Sequence, residues 1–391
     1  MLRKLRLFIL LISGLALMAC ALVTTPQAAA NAPDVTAAPT LPSVPKVIVP
    51  TVALPAPTTP PAAATSAPTS PPAPAPTTVI VAPSASGLPA SAYTDDRSTP
   101  GSLIVSLFNA VNRHEYLRAY SYWQTPAESL GTLASFAKGY ANTASIDLVF
   151  GPVSGSGGAG QMYFTVPAII KGTATNGAKA NYAACYIVHM SQPTFQGAPP
   201  YIGMMIIRGK AQPVDIKASD AADLAAACGG PEYPMDNLID GSPASVADIS
   251  KANYLDNRSG PVEVVSSLEN ALNTKEYVRA YSYWENPTVT AGPFTPYAAG
   301  FSDTGVITAT FGTPTSDGGA GQIHYKVPLI LIVNTVAANT TQTFVGCYTL
   351  HLSQPGMQAA LPFAPLGIIG GKFKKVDNSV NTAPLLASAC S

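Results

Sequence analysis

The chain has 391 residues, enough for two domains of ordinary size together with additional segments. Its 21 basic and 21 acidic residues balance, so no net charge favours binding to nucleic acid or to an anionic membrane surface. Charged residues make up only 11% of the chain and 38 residues are prolines, which argues against a single cytosolic enzyme and indicates a large, uncharged, proline-rich part.

The first twenty residues have the pattern of an export signal. A basic start at residues 3–6 precedes an apolar run, residues 7–18, that is short for a membrane span. The run ends in Leu17-Met18-Ala19-Cys20, which resembles the bacterial lipobox. This resemblance implies that Cys20 becomes the lipidated first residue of a bacterial lipoprotein, anchored on the extracytoplasmic face of the cell membrane. The alternative is an ordinary cleaved signal with a cysteine nearby.

Residues 21–92 are dominated by Ala, Pro, Thr, Ser and Val, with no charged residue between Val47 and Thr94. Such a segment buries too little apolar surface to offset the entropy of ordering, so we predict a disordered spacer. At about 3.1 Å per residue it could extend to roughly 200 Å and hold the folded part away from the membrane.

The rest of the chain contains one pattern written twice. The ten residues His114–Trp123 return almost unchanged as Lys275–Trp284. We therefore expect a first domain at residues 93–228, a connector at 229–253 and a second domain at 254–391. Between the prolines and the cysteines that the two copies share, the second copy has one more residue, as expected for an insertion in a hairpin loop.

The cysteine spacing supports the duplication. Cys185 and Cys228 are separated by 43 residues, as are Cys347 and Cys390. Equal spacing predicts one disulfide in each copy, leaving the cysteine at the signal boundary for lipid. An exported chain meets the oxidising conditions in which such bonds persist.

Within each copy the predicted helices precede the predicted strands. The opening helix has apolar residues four apart, namely Leu103, Leu107 and Val111 in the first copy and Val264, Leu268 and Leu272 in the second. The repeated ten residues form the next helix, which ends before a proline, and a third short helix is predicted at 133–140 and less regularly at 296–301. The predicted strands are 146–153, 161–171, 180–191 and 201–209, then 306–314, 322–333, 343–353 and 366–374. Helices followed by an antiparallel sheet define the α+β class.

The helical part of each copy is similar to the nuclear transport factor 2-like superfamily. The similarity lies in Asn109-Ala110-Val111-Asn112-Arg113 leading into Tyr116–Trp123, and in Asn270-Ala271-Leu272-Asn273 leading into Tyr277–Trp284. It implies two tandem cone-shaped domains, each with N-terminal helices packed on a curved antiparallel sheet whose mouth can form a pocket. Members include enzymes, ligand-binding proteins and structural modules, so the resemblance implies a fold more than a function.

Four aromatic residues of the repeated helix are candidates for a binding pocket: Tyr120, Trp123, Tyr281 and Trp284. Large rings with a polar group suit an apolar or aromatic ligand. The alternative is that the same residues simply pack the helix against the sheet.

Other polar residues have structural interpretations. His189 and His351 lie on the strand face that carries the cysteines, so we expect structural hydrogen bonds and no role as a general base. Glu115 and Arg118, and their second-copy equivalents Glu276 and Arg279, have the spacing of a solvated helical ion pair; anion binding by the arginines is the alternative.

The matches to enzyme motifs in the sequence are incomplete and do not indicate an enzyme. Ser135 and Lys138 match Ser-x-x-Lys without its partner motifs, and the glycine-rich segment 155–160 is predicted to be a turn followed by a strand, where a nucleotide site needs a helix. Asp147, the best strand carboxylate, is replaced by Thr308 in the second copy.

The sequence thus predicts no catalytic residue, metal, cofactor or nucleic-acid partner. We expect an extracytoplasmic, lipid-anchored protein that binds a small ligand or a cell-envelope protein; the alternatives are an isomerase-like or cyclase-like enzyme and a purely structural docking module.

Overall fold

A computed structural model describes residues 93–229 and 254–391, and over these ranges the chain is α+β. Two antiparallel sheets of five strands each follow one another along the chain, each preceded by helices. This confirms the predicted class and the repetition of one order of elements. The predicted signal, the lipidation site Cys20, the spacer and nearly all of the connector lie outside the described residues.

The first repeat opens with four helices, α1 (Pro100–Asn112), α2 (Tyr116–Ser121), α3 (Pro126–Leu130) and α4 (Leu133–Gly139). Its strands are β1 (Thr143–Phe150), β2 (Ser154–Gly158), β3 (Gln161–Ala174), β4 (Lys179–Ser191) and β5 (Met205–Val214), and α5 (Asp220–Ala227) follows them. The strand order is β1-β3-β4-β5, with β2 also pairing with β3. Helix α1 begins at Pro100, and the hydroxyl of Thr99 caps it by accepting a 3.0 Å hydrogen bond from the Ser102 amide.

The second repeat has the same order of elements. Its helices are α6 (Pro261–Asn273), α7 (Tyr277–Tyr281), α8 (Pro287–Thr290) and α9 (Phe294–Gly300). Its strands are β6 (Thr304–Phe311), β7 (Thr315–Gly319), β8 (Gln322–Thr335), β9 (Thr341–Ser353) and β10 (Gly367–Val376), followed by α10 (Ala383–Ala387). The strand order β10-β9-β8-β6, with β7 on β8, mirrors the first sheet.

The glycine-rich segment of each repeat forms a strand, which differs from the sequence prediction. We expected residues 155–160 to form a turn, but β2 and its counterpart β7 are fifth strands that pair with β3 and β8. Only Ala159 and Gly160 turn the chain, with φ of 49° and 77°, and the equivalent residues Ala320 and Gly321 do the same. Two successive positive φ values suit a two-residue hairpin. The pairing uses main-chain groups, so the strand carries little side-chain pattern for sequence analysis to detect.

The hairpin between the two long strands contains the predicted insertion. Four residues connect β3 to β4, whereas five connect β8 to β9. The third helix is also confirmed in both copies. Within 93–229 and 254–391, no helix is both long and apolar enough to cross a bilayer.

Each repeat has its own disulfide, as the spacing predicted. Cys185 on β4 bonds to Cys228 at the end of α5, and Cys347 on β9 bonds to Cys390. The Cα atoms of the bonded pairs are 5.1 and 5.0 Å apart. Each bond therefore ties the short final helix of a repeat to the middle of its sheet.

The repeats contact each other through the segments that precede their first helices. The Arg97 amide donates to the Asp256 carbonyl at 2.7 Å, and the Arg258 amide donates to the Asp95 carbonyl at 2.6 Å. These two contacts are equivalent in the duplicated sequence, so the junction has the reciprocity of a two-fold dimer interface within one chain. Tyr254 of the second segment packs with the core of the first repeat.

Candidate functional site

The interior between helices and sheet differs in chemistry between the two repeats. In the first repeat, Phe108 on α1, Trp123 after α2, Phe136 on α4 and Tyr186 on β4 are all buried in one apolar cluster. The ring of Tyr186 makes edge contacts with Phe108 and Trp123 at centroid distances of 6.3 and 6.4 Å. The first interior is therefore closed around packed rings.

In the second repeat, a carboxyl group occupies the position of the first phenylalanine. Glu269 on α6 aligns with Phe108, and only 9% of Glu269 is exposed. Its Oε1 is buried without a hydrogen-bond partner among the described residues. Burial raises the pKa of the Glu269 carboxyl to about 8, because the protein interior disfavours the charged form. The group is therefore predominantly neutral at pH 7.

Two further buried polar atoms accompany Glu269. Neither Nε1 of Trp284 nor the hydroxyl of Tyr297 has a hydrogen-bond partner among the described residues. The two groups are close neighbours, although their geometry does not form a hydrogen bond. Tyr348 completes the group: its ring meets Trp284 edge-on at 6.0 Å, and burial, then Tyr297 and Glu269, raise its pKa far above the usual tyrosine value. We call Glu269, Trp284, Tyr297 and Tyr348 the second-repeat cluster.

The second-repeat cluster is also more accessible than its counterpart. Trp284, Tyr297 and Tyr348 are partly exposed, whereas the equivalent residues of the first repeat are buried. In addition, Ala309 on β6 replaces the buried Leu148 of β1, which removes side-chain volume from the same interior. Nε1 of Trp123 in the first interior also lacks a hydrogen-bond partner among the described residues, so the second interior differs by its access from solvent and by its unpaired carboxyl group.

The structure brings the four predicted aromatic residues into the two interiors in different ways. Tyr120 and Tyr281 are buried, and their hydroxyls donate to the carbonyls of Gly131 and Gly292 at 2.5 and 2.6 Å. Their environment resembles core packing, as does that of the buried Trp123. Two of the four touch the second-repeat cluster: Trp284 belongs to it, and the ring of Tyr281 lies 5.1 Å from that of Tyr297.

The arginines of the repeated helix are buried, so a second expectation was wrong. We expected solvated ion pairs, but Arg118 is fully buried and binds the nearly buried Glu115, with 2.7 Å between Nε and Oε2. Its guanidinium also donates to the carbonyl of Thr94, the hydroxyl of Tyr122 and Oδ1 of Asn109, at 2.6–3.0 Å. Arg279 repeats this arrangement with Glu276. These donors are engaged inside the protein, so the arginines are structural and do not present an anion site.

Both histidines have the structural hydrogen bonds that we expected. The ring nitrogens of His189 contact the side-chain oxygens of Gln124 and Gln161 at 3.0 and 2.7 Å. Those of His351 contact Glu285 and Gln322 at 2.7 and 2.6 Å. With both nitrogens occupied, neither ring is positioned as a general base.

A cleft of about 450 Å³ lies where the first repeat meets a turn of the second. Leu117, Leu133 and Pro355 are among its mainly apolar lining residues. Its polar residues are largely paired: Glu115 with arginines, Gln358 with main-chain groups at 2.8–2.9 Å, and Nδ1 of His114 with the Tyr116 hydroxyl at 2.9 Å. The cleft therefore offers a ligand fewer unpaired polar groups than the second-repeat cluster does.

Sequence reasoning missed Glu269, although the sequence contained a signal. The residue interrupts the apolar face of α6, and the aligned residue of the first copy is a phenylalanine. A residue-by-residue alignment of α1 with α6 identifies a carboxyl group at a position where the first copy has an aromatic ring.

Comparison with known proteins gives no family for this chain. No protein-family model matches it, and no similar sequence is found among curated proteins. Within the described ranges, no group of three or more His, Cys, Asp or Glu side chains is placed to hold a metal ion.

Proposed function

We propose that the chain is a binding protein and that the interior of the second repeat holds a small, largely apolar ligand. The observation that carries this proposal is the second-repeat cluster, in which buried Oε1 of Glu269 has no partner among the described residues, while Nε1 of Trp284 and the hydroxyl of Tyr297 are neighbours without a well-formed hydrogen bond. Leaving such atoms unpaired costs about 1–3 kcal/mol each, so native interiors seldom retain them without a purpose. A ligand that enters beside Trp284 and supplies hydrogen bonds would remove that cost.

The proposal places both repeats in the nuclear transport factor 2-like fold, with each sheet curved around its helices as a cone. The order of helices and strands supports this assignment, as does the position of the cluster between α6 and β9. The first cone is then the filled, structural copy, and the second is the copy that binds. Duplication allows one copy to keep the packing while the other acquires a site.

The proposal also places the protein outside the cytoplasm, attached to the cell membrane by lipid on Cys20 and held away from it by residues 21–92. The two disulfides fit an oxidising compartment and support this location. Metabolic labelling with a fatty acid tests it. The full chain should incorporate label and enter the membrane fraction, and a Cys20→Ser variant should do neither; labelled Cys20→Ser protein would contradict the anchor.

The two tryptophans of the chain allow a test of binding by each repeat separately, because each repeat contains one of them. A Trp123→Phe variant reports on the second interior, and a Trp284→Phe variant reports on the first. Titration with cyclohexanol should change the emission of Trp284 in a saturable way and leave that of Trp123 unchanged. Equal responses, or no response of Trp284 to either cyclohexanol or cyclohexylamine, would overturn the proposed function.

One observation favours an enzyme as the second candidate. A carboxyl with a pKa of about 8 can take or return a proton near neutral pH, which isomerase-like and cyclase-like reactions require. The test is exchange of the α-protons of cyclohexanone in D₂O, followed by NMR. Exchange above the buffer rate that disappears in Glu269→Gln supports catalysis, and equal rates for both proteins exclude this role for Glu269.

A further inference from the structure

We propose that the ligand of the second repeat is an organic ammonium ion, a small apolar amine that is protonated at neutral pH. This inference rests on the proposed function and specifies the chemical class of its ligand. It is supported by the charge, the aromatic rings and the hydrogen-bonding atoms of the second-repeat cluster.

The charged groups around Glu269 favour a cationic ligand. Among the described residues, Glu269 makes no hydrogen bond or ion pair that would stabilise its ionised form, and burial is the only cause of its raised pKa. Elsewhere in the same repeat the buried glutamate, Glu276, is matched by a buried arginine at 2.5 Å. A buried carboxylate normally has such a cation, and at Glu269 the protein does not provide one. Without a cation the Glu269 carboxyl stays mostly protonated at pH 7, and a cationic ligand would let it ionise and form an ion pair.

The aromatic rings of the second-repeat cluster also favour a cation. Trp284 and Tyr348 meet edge to face, and Tyr297 is a near neighbour of both. Aromatic rings attract an ammonium group through their electron-rich faces, and the attraction is stronger when water is excluded. An anionic ligand would instead meet the electron-rich ring faces, which repel it, and would keep Glu269 from ionising.

The hydrogen-bonding atoms of the cluster favour an ammonium group. An ammonium group donates up to three hydrogen bonds, and Oε1 of Glu269 and the hydroxyl oxygen of Tyr297 are unpaired acceptors. The same hydroxyl oxygen lies near Nε1 of Trp284, which can donate to it after a small adjustment. A neutral alcohol would satisfy these atoms in part but could not form an ion pair with Glu269 in its ionised form.

The first repeat provides an internal comparison. Phe108 and Phe136 occupy the positions of Glu269 and Tyr297, so the first interior has rings but no carboxyl. The ammonium site is thereby confined to the second repeat. The single-tryptophan variants distinguish the two interiors during binding.

The experiment compares cyclohexylamine, which is cationic at pH 7, with cyclohexanol, which has nearly the same shape and no charge. Both are titrated into the full chain carrying Trp123→Phe, and Trp284 emission is followed at constant ionic strength. We expect cyclohexylammonium to bind about tenfold or more tightly than cyclohexanol. In Glu269→Gln the two affinities should become nearly equal, and Glu269→Leu provides a second variant without the charge.

The matched control is Glu263→Gln, because Glu263 is an exposed carboxylate on the same helix. This control should keep the preference for the ammonium ion. Equal or tighter binding of cyclohexanol by the unmodified site, or an ammonium preference that survives Glu269→Gln, overturns the ligand class while the proposed binding function stands. No change in Trp284 emission with either compound overturns both.

Discussion

The amide of Asp95 donates a 2.9 Å hydrogen bond to the hydroxyl of Ser259, and the amide of Asp256 donates the equivalent bond, 3.0 Å, to Ser98. Each serine therefore belongs to one repeat and satisfies a buried main-chain group of the other. Asp96 and Asn257 pair as an antiparallel bridge between these contacts. The two repeats are joined reciprocally through their leading segments.

Removing both serine hydroxyls should weaken this junction. Ser98→Ala with Ser259→Ala leaves two buried amides without an acceptor, at about 1–3 kcal/mol each. Urea unfolding should show this loss as a lower free energy of unfolding. Ser129→Ala, an exposed serine on α3, is the control and should stay within about 0.5 kcal/mol of the unmodified protein. A double variant as stable as that control would show that the junction contributes little.

Arg118 should be among the most sensitive positions of the first repeat. Arg118→Met removes the fully buried cation of Glu115 and leaves it only the partly exposed Arg113, so we expect a loss of up to the roughly 3–5 kcal/mol that breaking a buried ion pair costs. Lys171→Met is the comparison, because its ion pair with Asp220 is more than a third exposed and should contribute less than about 1 kcal/mol. Both values are measured by urea unfolding. Similar losses in the two variants would contradict the structural role of Arg118.

The disulfides should contribute strongly to stability. Each closes 43 residues of chain, which gives about 4 kcal/mol in the chain-entropy model, as an upper figure. Cys390→Ser should lower the free energy of unfolding of the second repeat. Reduction with dithiothreitol should lower the free energy of unfolding of the unmodified chain further, because it opens both bonds. If reduction leaves the unfolding curve unchanged, the bonds do not stabilise the fold.

Glu269 should make stability fall as pH rises. Its folded-state pKa of about 8 lies above the usual value of 4.5, so between these pH values the folded state holds a proton that the unfolded state has released. Stability is therefore highest below about pH 4.5, as far as this group is concerned, and decreases by up to about 1.4 kcal/mol per pH unit until about pH 8. The difference in unfolding free energy between the unmodified chain and Glu269→Gln isolates this contribution. A difference that is constant from pH 5 to pH 8 would contradict the raised pKa.

The repeated architecture could be predicted because it depends on residues that are close in the sequence or that recur in both copies. The four-residue step of Leu103, Leu107 and Val111 and the equal spacing of the cysteines need no knowledge of tertiary contacts. The same is true of the extra residue in the β8–β9 hairpin. All three predictions agree with the structure.

The buried polar groups were harder to predict, because their environment depends on distant residues. Arg118 is buried through contacts with Thr94, Asn109 and Tyr122, which come together only when the leading segment folds across α1 and α2. A three-residue spacing from Glu115 indicates an ion pair but not its burial. Glu269 is a different case, since it stands out only when the two copies are compared directly.

The proposed site depends most on the protonation state of the Glu269 carboxyl, and carbon NMR of glutamate labelled at the side-chain carboxyl measures that state directly. Comparison with Glu269→Gln assigns the resonance. We expect the Glu269 signal to titrate at about pH 8 in the ligand-free chain and at a lower pH when cyclohexylammonium is bound. Titration between pH 4 and 5 without ligand would show an ordinary, solvated or compensated carboxylate and would contradict the proposed site.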